Sequence, residues 1–171
     1  MAVVTGPLLI ALSGPPGVGK SCAADALALC TGAVVVRVDA IEAGLRRHDP
    51  ALADTPAGYL VGYALAADHL DRKAVVIADC VNPLPETRAA WRAVAAEAGA
   101  RFLAVELRCG DEALWRERVE ARREAAGAAR APSWEQARAR RTPPWPEADL
   151  RLDTARRAPL SVAESILAAL G

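Results

Sequence analysis

Residues 8–21 read Leu-Leu-Ile-Ala-Leu-Ser-Gly-Pro-Pro-Gly-Val-Gly-Lys-Ser. Leu8 to Leu12 is a short apolar run, and Gly14 to Ser21 spells G-x-x-x-x-G-K-S. An alanine- and leucine-rich segment, Cys22 to Leu29, follows at once. Strand, glycine-rich turn and helix, in that order, are the context in which this spacing is a phosphate-binding P-loop. Gly14, Gly17 and Gly19 lack a Cβ, so the backbone can curl and approach an oxyanion closely. The N–H groups of the turn and the helix N-terminus then face the phosphates. Lys20 reaches the β/γ-phosphates, and the Ser21 hydroxyl ligates Mg²⁺. Composition adds a second argument. Lys20 and Lys73 are the only lysines beside nineteen arginines, so a lysine here answers a demand for a compact ammonium. The nucleotide-binding set is therefore Gly14, Pro15, Pro16, Gly17, Val18, Gly19, Lys20 and Ser21, with Cys22 just behind. An ordinary Gly-Pro-Pro-Gly turn is the competing reading, and it leaves the strand, the lysine and the helix unexplained.

The 171 residues are about one domain, expected to span 1–171, and are enough to bury a core without disulfides or metals. No apolar run approaches the roughly 18–20 residues of a membrane span. The N-terminus lacks the basic n-region of a signal peptide. No membrane association and a cytoplasmic location are the expectation. The formal net charge is zero, which gives a general polyanion-binding role no bulk electrostatic support. The four cysteines, at 22, 30, 80 and 109, form no C-x-x-C pair and read as reduced, mostly buried small hydrophobes.

Downstream of the turn, strands and helices alternate. Residues 34–38 are β-branched and predict a second strand, with Asp39 at its carboxyl end and a short helix from Ile41 to Arg47 that His48-Asp49-Pro50 breaks. Residues 56–72 have helical spacing, with Leu60, Tyr63, Ala64, Ala67 and Leu70 on one side. Val75 to Ala78 is a short buried strand, again ending in an acid, Asp79. Pro83 and Pro85 open a helix to about Ala98, stopped by Gly99. Arg101 to Leu107 is a fourth strand, and Asp111 caps a helix to about Ala126. Residues 127–146 hold four prolines and two tryptophans; Ser133 with Gln136 fits a capping box for a helix over 134–141. Asp149 to Leu152 is a weak fifth strand. Ser161 with Glu164 caps a last helix to Leu170. This alternation means an α/β fold with a parallel sheet covered on both faces. Ligands bind outside the carboxyl ends of such strands, where residues 14–21, Asp39 and Asp79 all fall.

Asp79, after four apolar residues and beside a P-loop, reads as a Walker-B carboxylate serving Mg²⁺ together with Ser21; the following Asn82-Pro83 also allows a cap. Asp39 reads as the group that orients an acceptor hydroxyl and takes its proton, or as the N-cap of the helix from Ile41; the roles are compatible. In the helix over 111–126, Leu114, Trp115 and Val119 form the inward stripe. Arg118 and Arg122 stand three residues after Trp115 and Val119 and share that face. A cation on the packed side needs an anion, and bound phosphates supply one. Arg116 is four residues from both Glu112 and Glu120, a solvated ladder. The catalytic candidates are thus Lys20, Asp39, Arg118 and Arg122. Arg46, Arg47 and Tyr59 are neighbours of Asp39 for an acceptor pocket. Trp134 and Trp145 read as anchors of the loop, with stacking on a base as the alternative, and His48 and His69 have no metal-ligand spacing.

Taken together, Gly14–Ser21, Asp39, Asp79 and the Arg118-x-x-x-Arg122 pair resemble the P-loop kinases of small molecules. These include the adenylylsulfate, gluconate, shikimate, zeta-toxin, chloramphenicol phosphotransferase and polynucleotide kinase types. The chain most resembles a bacterial group of predicted kinases often labelled AAA-family ATPase. That resemblance rests on residues 78–91 (Ala-Asp-Cys-Val-Asn-Pro-Leu-Pro-Glu-Thr-Arg-Ala-Ala-Trp), on Pro132-Ser133-Trp134-Glu135 and on Leu152-Asp153-Thr154. It implies a three-layer α/β/α fold, a five-stranded parallel sheet in the order 2-3-1-4-5, and a lid over about 123–145 rooted at Arg118 and Arg122. It places adenine near Asp153-Thr154. It implies ATP and Mg²⁺ as cofactors, an unidentified small-molecule acceptor as partner, and a monomer or homodimer. The expected activity is transfer of the γ-phosphoryl group to a hydroxyl. A nucleotide-dependent switch is the alternative, although no N-K-x-D guanine motif is present. A nucleic-acid end kinase is disfavoured, since no basic strip with interleaved aromatics supports it.

Overall fold

The computed structural model describes residues 5–53, 55–127 and 131–171. Five strands, β1 (Leu8–Ser13), β2 (Val34–Arg37), β3 (Val75–Asp79), β4 (Arg101–Arg108) and β5 (Leu150–Asp153), form one sheet in the order β2-β3-β1-β4-β5. Every pairing is parallel. This is the architecture that the resemblance implies. The helices are α1 (Lys20–Thr31), α2 (Val38–His48), α3 (Ala57–Asp71), α4 (Pro85–Glu97), α5 (Glu112–Ala126), α6 (Trp134–Ala139) and α7 (Pro159–Ala168).

β1 lies at the centre, and all six of its residues are buried. Alternation splits them between the two faces. Leu8, Ile10 and Leu12 join Leu27 of α1, Trp115 and Val119 of α5, and Ile166 of α7. Leu9 and Ala11 join Leu70 of α3 and Trp91 of α4. Each such aliphatic side chain contributes about 1.5–3 kcal/mol by leaving water. A strand with both faces covered reads as an unbroken apolar run, which is why residues 8–12 were legible.

Several expectations are corrected. The second strand stops at Arg37, and the helix begins at Val38, not at Ile41. Asp39 is thus the second residue of α2 and neither a strand end nor an N-cap. Val38 turns its side chain into the core, and an acid in the first turn suits the helix dipole. On α3 the buried stripe is Gly58, Gly62, Ala66 and Leu70. Leu60 and Ala64, expected inside, are exposed. The cause is close packing: a Cβ on Gly62 would stand 3.3 Å from the Trp91 ring and 3.4 Å from Val38 Cγ2, so the residue that faces the sheet is the one without a side chain. α7 starts at Pro159, with Ser161 inside the helix; proline at N1 set the start, and Ser161 instead accepts from Arg157. α6 ends at Ala139, two residues short of the expected 141. Of the cysteines only Cys80 is buried; Cys22 is exposed, and Cys30 and Cys109 are intermediate. Glu112 does not join Arg116 in a ladder. It pairs with Arg141 at 2.7 Å, while Arg116 keeps Glu120 at 2.7 Å. Residues 128–130 of the expected lid lie outside the described residues.

No helix among the described residues is long and apolar enough to cross a membrane.

Candidate active site

The glycine-rich turn connects β1 to α1, and Gly19 caps the helix with φ +97°. Three side chains, two of them from far along the chain, grip its carbonyl oxygens. The Trp115 indole Nε1–H donates to Pro16 O at 2.7 Å, and the Thr154 hydroxyl donates to Val18 O at 2.7 Å. Lys20 Nζ donates to Pro15 O at 3.0 Å. A trans peptide is planar, so its C=O and N–H point opposite ways, and the described residues contain no cis bond. Holding Pro16 O on one side therefore sends the Gly17 N–H to the other. Holding Val18 O does the same for the Gly19 N–H. Gly17 and Gly19 both line a cleft of ≈ 670 Å³. A Cβ on Gly17 would collide with Val119 Cγ2, and its φ is +85°; the turn fits against α5 only with glycine there.

Lys20, Ser21, Cys22, Arg37, Asp39, Arg118, Arg122, Thr154 and Arg157 line the same cleft, with Ala121, Pro159 and Val162 as its apolar part. The structure thus brings together Lys20, Asp39, Arg118 and Arg122, the four residues expected to act in catalysis. Five cations against one carboxylate in that lining suit a multiply charged anion. Lys20 is only 7% exposed. Burial pulls its ammonium below the ordinary value, against the opposing pull of Asp79 and then Asp39; Arg122 adds to the lowering. A desolvated ammonium with a single hydrogen bond is a group prepared for an anionic partner.

Arg118 is less free than its place on the helix suggests. Its Nη1 donates to Thr154 Oγ1 at 3.2 Å and its Nη2 to Thr154 O at 3.1 Å. Thr154 is 4% exposed, and its N–H donates to Arg108 O at 2.7 Å. It therefore ties the end of β5 to β4, to α5 and to the glycine-rich turn.

Asp79 is 3% exposed and is not among the residues that line the cleft. Its Oδ2 accepts from Arg37 Nε at 3.1 Å. The donor set for a metal is hard oxygen only, the Ser21 hydroxyl and the Asp79 carboxylate, which fits Mg²⁺. Behind Asp79 the chain is fixed by Asn82, whose Nδ2 donates to Leu12 O at 2.9 Å and whose N–H donates to the Tyr59 hydroxyl at 3.0 Å. Burial pushes the Tyr59 hydroxyl far up. Tyr59 anchors this loop and does not line the cleft, and Arg46 and Arg47 stand exposed in the last turn of α2.

The segment expected as a lid is fastened at both ends. Arg123 Nη1 donates to Ala131 O at 3.3 Å. Arg88, itself buried, donates to Asn82 O at 2.9 Å, Pro143 O at 2.8 Å and Pro144 O at 3.1 Å, and stacks on Trp145 at 5.3 Å. Trp145 is 2% exposed, and Trp134 meets Trp115 edge-on at 4.8 Å. Both tryptophans anchor the segment, as expected. The capping box of Ser133 and Gln136 is present.

Sequence reasoning passed over Trp115 as a ligand of the turn, Thr154 as its hub, and Arg37, Arg88 and Arg157. Trp115 carried only its apolar signal. Arg88 lies inside the 78–91 stretch that carries the resemblance, which was the available pointer.

No curated protein matches the chain. Among solved structures it is similar to the APS kinase of Mycobacterium tuberculosis in complex with AMPPNP and APS. The identity is 22% with a TM-score of 0.72, over 98% of this chain and 99% of that one. It is similar to a gluconokinase from Sinorhizobium meliloti 1021, at 22% identity and a TM-score of 0.66, over 98% and 93%. It is also similar to the tunicamycin resistance protein of Deinococcus radiodurans, at 21% identity and a TM-score of 0.63, over 96% of each chain. At these identities the likeness is one of fold. Residues 9–144 match the AAA domain family, more than half of the chain, and the protein belongs to that family.

Proposed function

We propose that this protein is an ATP- and Mg²⁺-dependent phosphotransferase that moves the γ-phosphoryl group of ATP to a hydroxyl of a small molecule. The observation that carries the reading is the grip of Trp115 and Thr154 on the carbonyls of Pro16 and Val18. It turns two glycine N–H groups into a cleft that also holds Lys20 and the start of α1, a built anion cradle. The APS kinase and gluconokinase likeness supports the same class of reaction.

In this reading Gly17, Gly19 and Lys20 bind the β- and γ-phosphates, and Arg122 neutralises charge on the transferring group. Arg118 is held on Thr154 and steadies the turn. Ala121, Pro159 and Val162 supply the apolar wall for the base. Ser21 and Asp79 hold Mg²⁺, which supplies further neutralisation of the phosphate oxygens. Asp39, on the first turn of α2, orients the acceptor hydroxyl. The acceptor oxygen forms a bond to the γ-phosphorus as the bond to the bridging oxygen of ADP breaks, and Asp39 takes the proton. Catalysis of this kind is positioning and charge stabilisation.

Isothermal titration with ATP and Mg²⁺ tests the site. The wild type binds and Lys20→Ala binds far more weakly; equal binding places the site elsewhere. A metabolite-library screen with γ-labelled ATP then identifies the acceptor. With that acceptor, Asp39→Asn keeps ATP binding and loses transfer. Hydrolysis without any acceptor, with partner affinity that follows nucleotide state, would instead establish the switch.

A further inference from the structure

Arg37 is the last residue of β2 and stands in register with Asp79, the last residue of β3. Their side chains meet at 3.1 Å, Nε to Oδ2. The same guanidinium reaches α1, where Nη2 donates to Asp25 Oδ1 at 3.0 Å. Asp79 is buried, whereas Arg37 is 39% exposed and lines the cleft beside Ser21 and Asp39. A guanidinium is charged at every working pH, so the carboxylate has a permanent counter-ion that itself faces the nucleotide space.

The donor set for a divalent cation at this place is thin. Among the described residues no group of three or more His, Cys, Asp and Glu could hold a metal ion. The Ser21 hydroxyl and the Asp79 carboxylate remain, with Asp39 the one carboxylate in the cleft lining. Mg²⁺ keeps several waters and is held by one or two carboxylates plus substrate phosphates. A free divalent ion that approaches Asp79 meets the charge of Arg37, which the solvent-exposed Asp25 offsets only in part. An ion that arrives on a triphosphate brings anionic oxygens, which offset that charge and give the guanidinium a new partner.

We propose that Arg37 makes divalent-cation binding at Asp79 conditional on a nucleotide triphosphate, holding the carboxylate against the free ion and yielding it to the metal–nucleotide complex. This rests on the nucleotide reading above. Mn²⁺ titrations followed by water-proton relaxation, without nucleotide, test it. Nucleotide-free wild type takes up Mn²⁺ weakly, and Asp79→Asn leaves that uptake unchanged. Arg37→Gln binds Mn²⁺ about tenfold or more tightly than wild type, and the gain is lost in Arg37→Gln/Asp79→Asn. Two results overturn the proposal. One is a nucleotide-free wild type whose Mn²⁺ affinity falls on Asp79→Asn, a comparison that stands even if the Gln variant does not fold. The other is an Arg37→Gln protein with wild-type Mn²⁺ affinity. ATP titrations of the same proteins separate the failures. A wild type that binds no ATP sinks the nucleotide reading. Ordinary ATP binding with unmoved Mn²⁺ affinity in Arg37→Gln sinks the Arg37 proposal alone.

Discussion

Thr154→Val removes one hydroxyl and keeps the shape of the side chain. The oxygen it removes donates to Val18 O at 2.7 Å and accepts from Arg118 Nη1 at 3.2 Å. The site is 4% exposed, so water replaces neither bond easily. Leaving a buried acceptor and a guanidinium N–H without their partner costs about 1–3 kcal/mol. For a chain of this length about 2–4 °C of Tm accompanies each kcal/mol, so a fall of about 2–12 °C is expected in a thermal melt. The second effect is specific to the site. With Val18 O released, the Gly19 N–H loses its aim, and ATP affinity measured by titration drops roughly tenfold. Thr154→Ser keeps the hydroxyl and loses a methyl; it restores ATP affinity while remaining less stable than wild type by about 1 kcal/mol. The reasoning is refuted if Thr154→Val keeps wild-type ATP affinity, or if Thr154→Ser is as poor a binder as Thr154→Val.

Three further outcomes are expected. Gly17→Ala places a methyl against Val119 at a φ of +85°, so melts show destabilisation of about 1–3 kcal/mol together with lost ATP binding; a variant with native stability and affinity would contradict the close fit of the turn to α5. Lys20→Met loses ATP binding yet melts at a higher temperature at neutral pH, because it removes a desolvated ammonium. The Lys20 pKa is lowered on folding from 10.5, so the unfolded chain binds more protons over the interval below that value. Its cost to stability is therefore relieved as pH rises, and the gap between wild type and Lys20→Met narrows toward alkaline pH; a constant gap counts against it. The N–H of Gly110, and after it that of Ala155, hold the Asp153 carboxyl below 3.8. That contribution is present above the unfolded value and is lost as pH falls through the folded one, so Asp153→Asn melts earlier than wild type near neutrality and the two converge in acid.

Local signals made the fold readable, and long-range contacts made parts of the site unreadable. The apolar run over 8–12 with its glycine turn, the capping pair Ser133 and Gln136, and Asp111 ahead of α5 each carry their structural meaning within a few residues. The sheet order came through the resemblance, because no local pattern states which strand pairs with which. The inner face of α3 was misread because hydrophobicity marks Leu60, while the packing against Trp91 selects Gly62. At α7 two start signals lay two residues apart, and the proline took precedence over the serine. In the cleft, the types and spacing of residues 14–21 carry the expectation of phosphate binding within eight residues. Nothing in the sequence says that Trp115 and Thr154 hold those residues in shape, or that Arg37 faces Asp79. Those pairings join positions 99, 136 and 42 residues apart and exist only once the sheet has closed.

That separation sets an order of assembly. The glycine-rich turn is synthesised well before its ties, which come from the neighbourhoods of Trp115 and Thr154, far later in the chain. A nascent polypeptide that has emerged only through β4 contains every residue of the turn and lacks both anchors. It has the letters of a phosphate cradle without the shape. β5 is short and weakly patterned, and its docking beside β4 delivers Thr154 to Val18. The turn therefore has all its ties only once β5 has docked, and a ligand that binds the held shape in turn favours the chain with β5 in place.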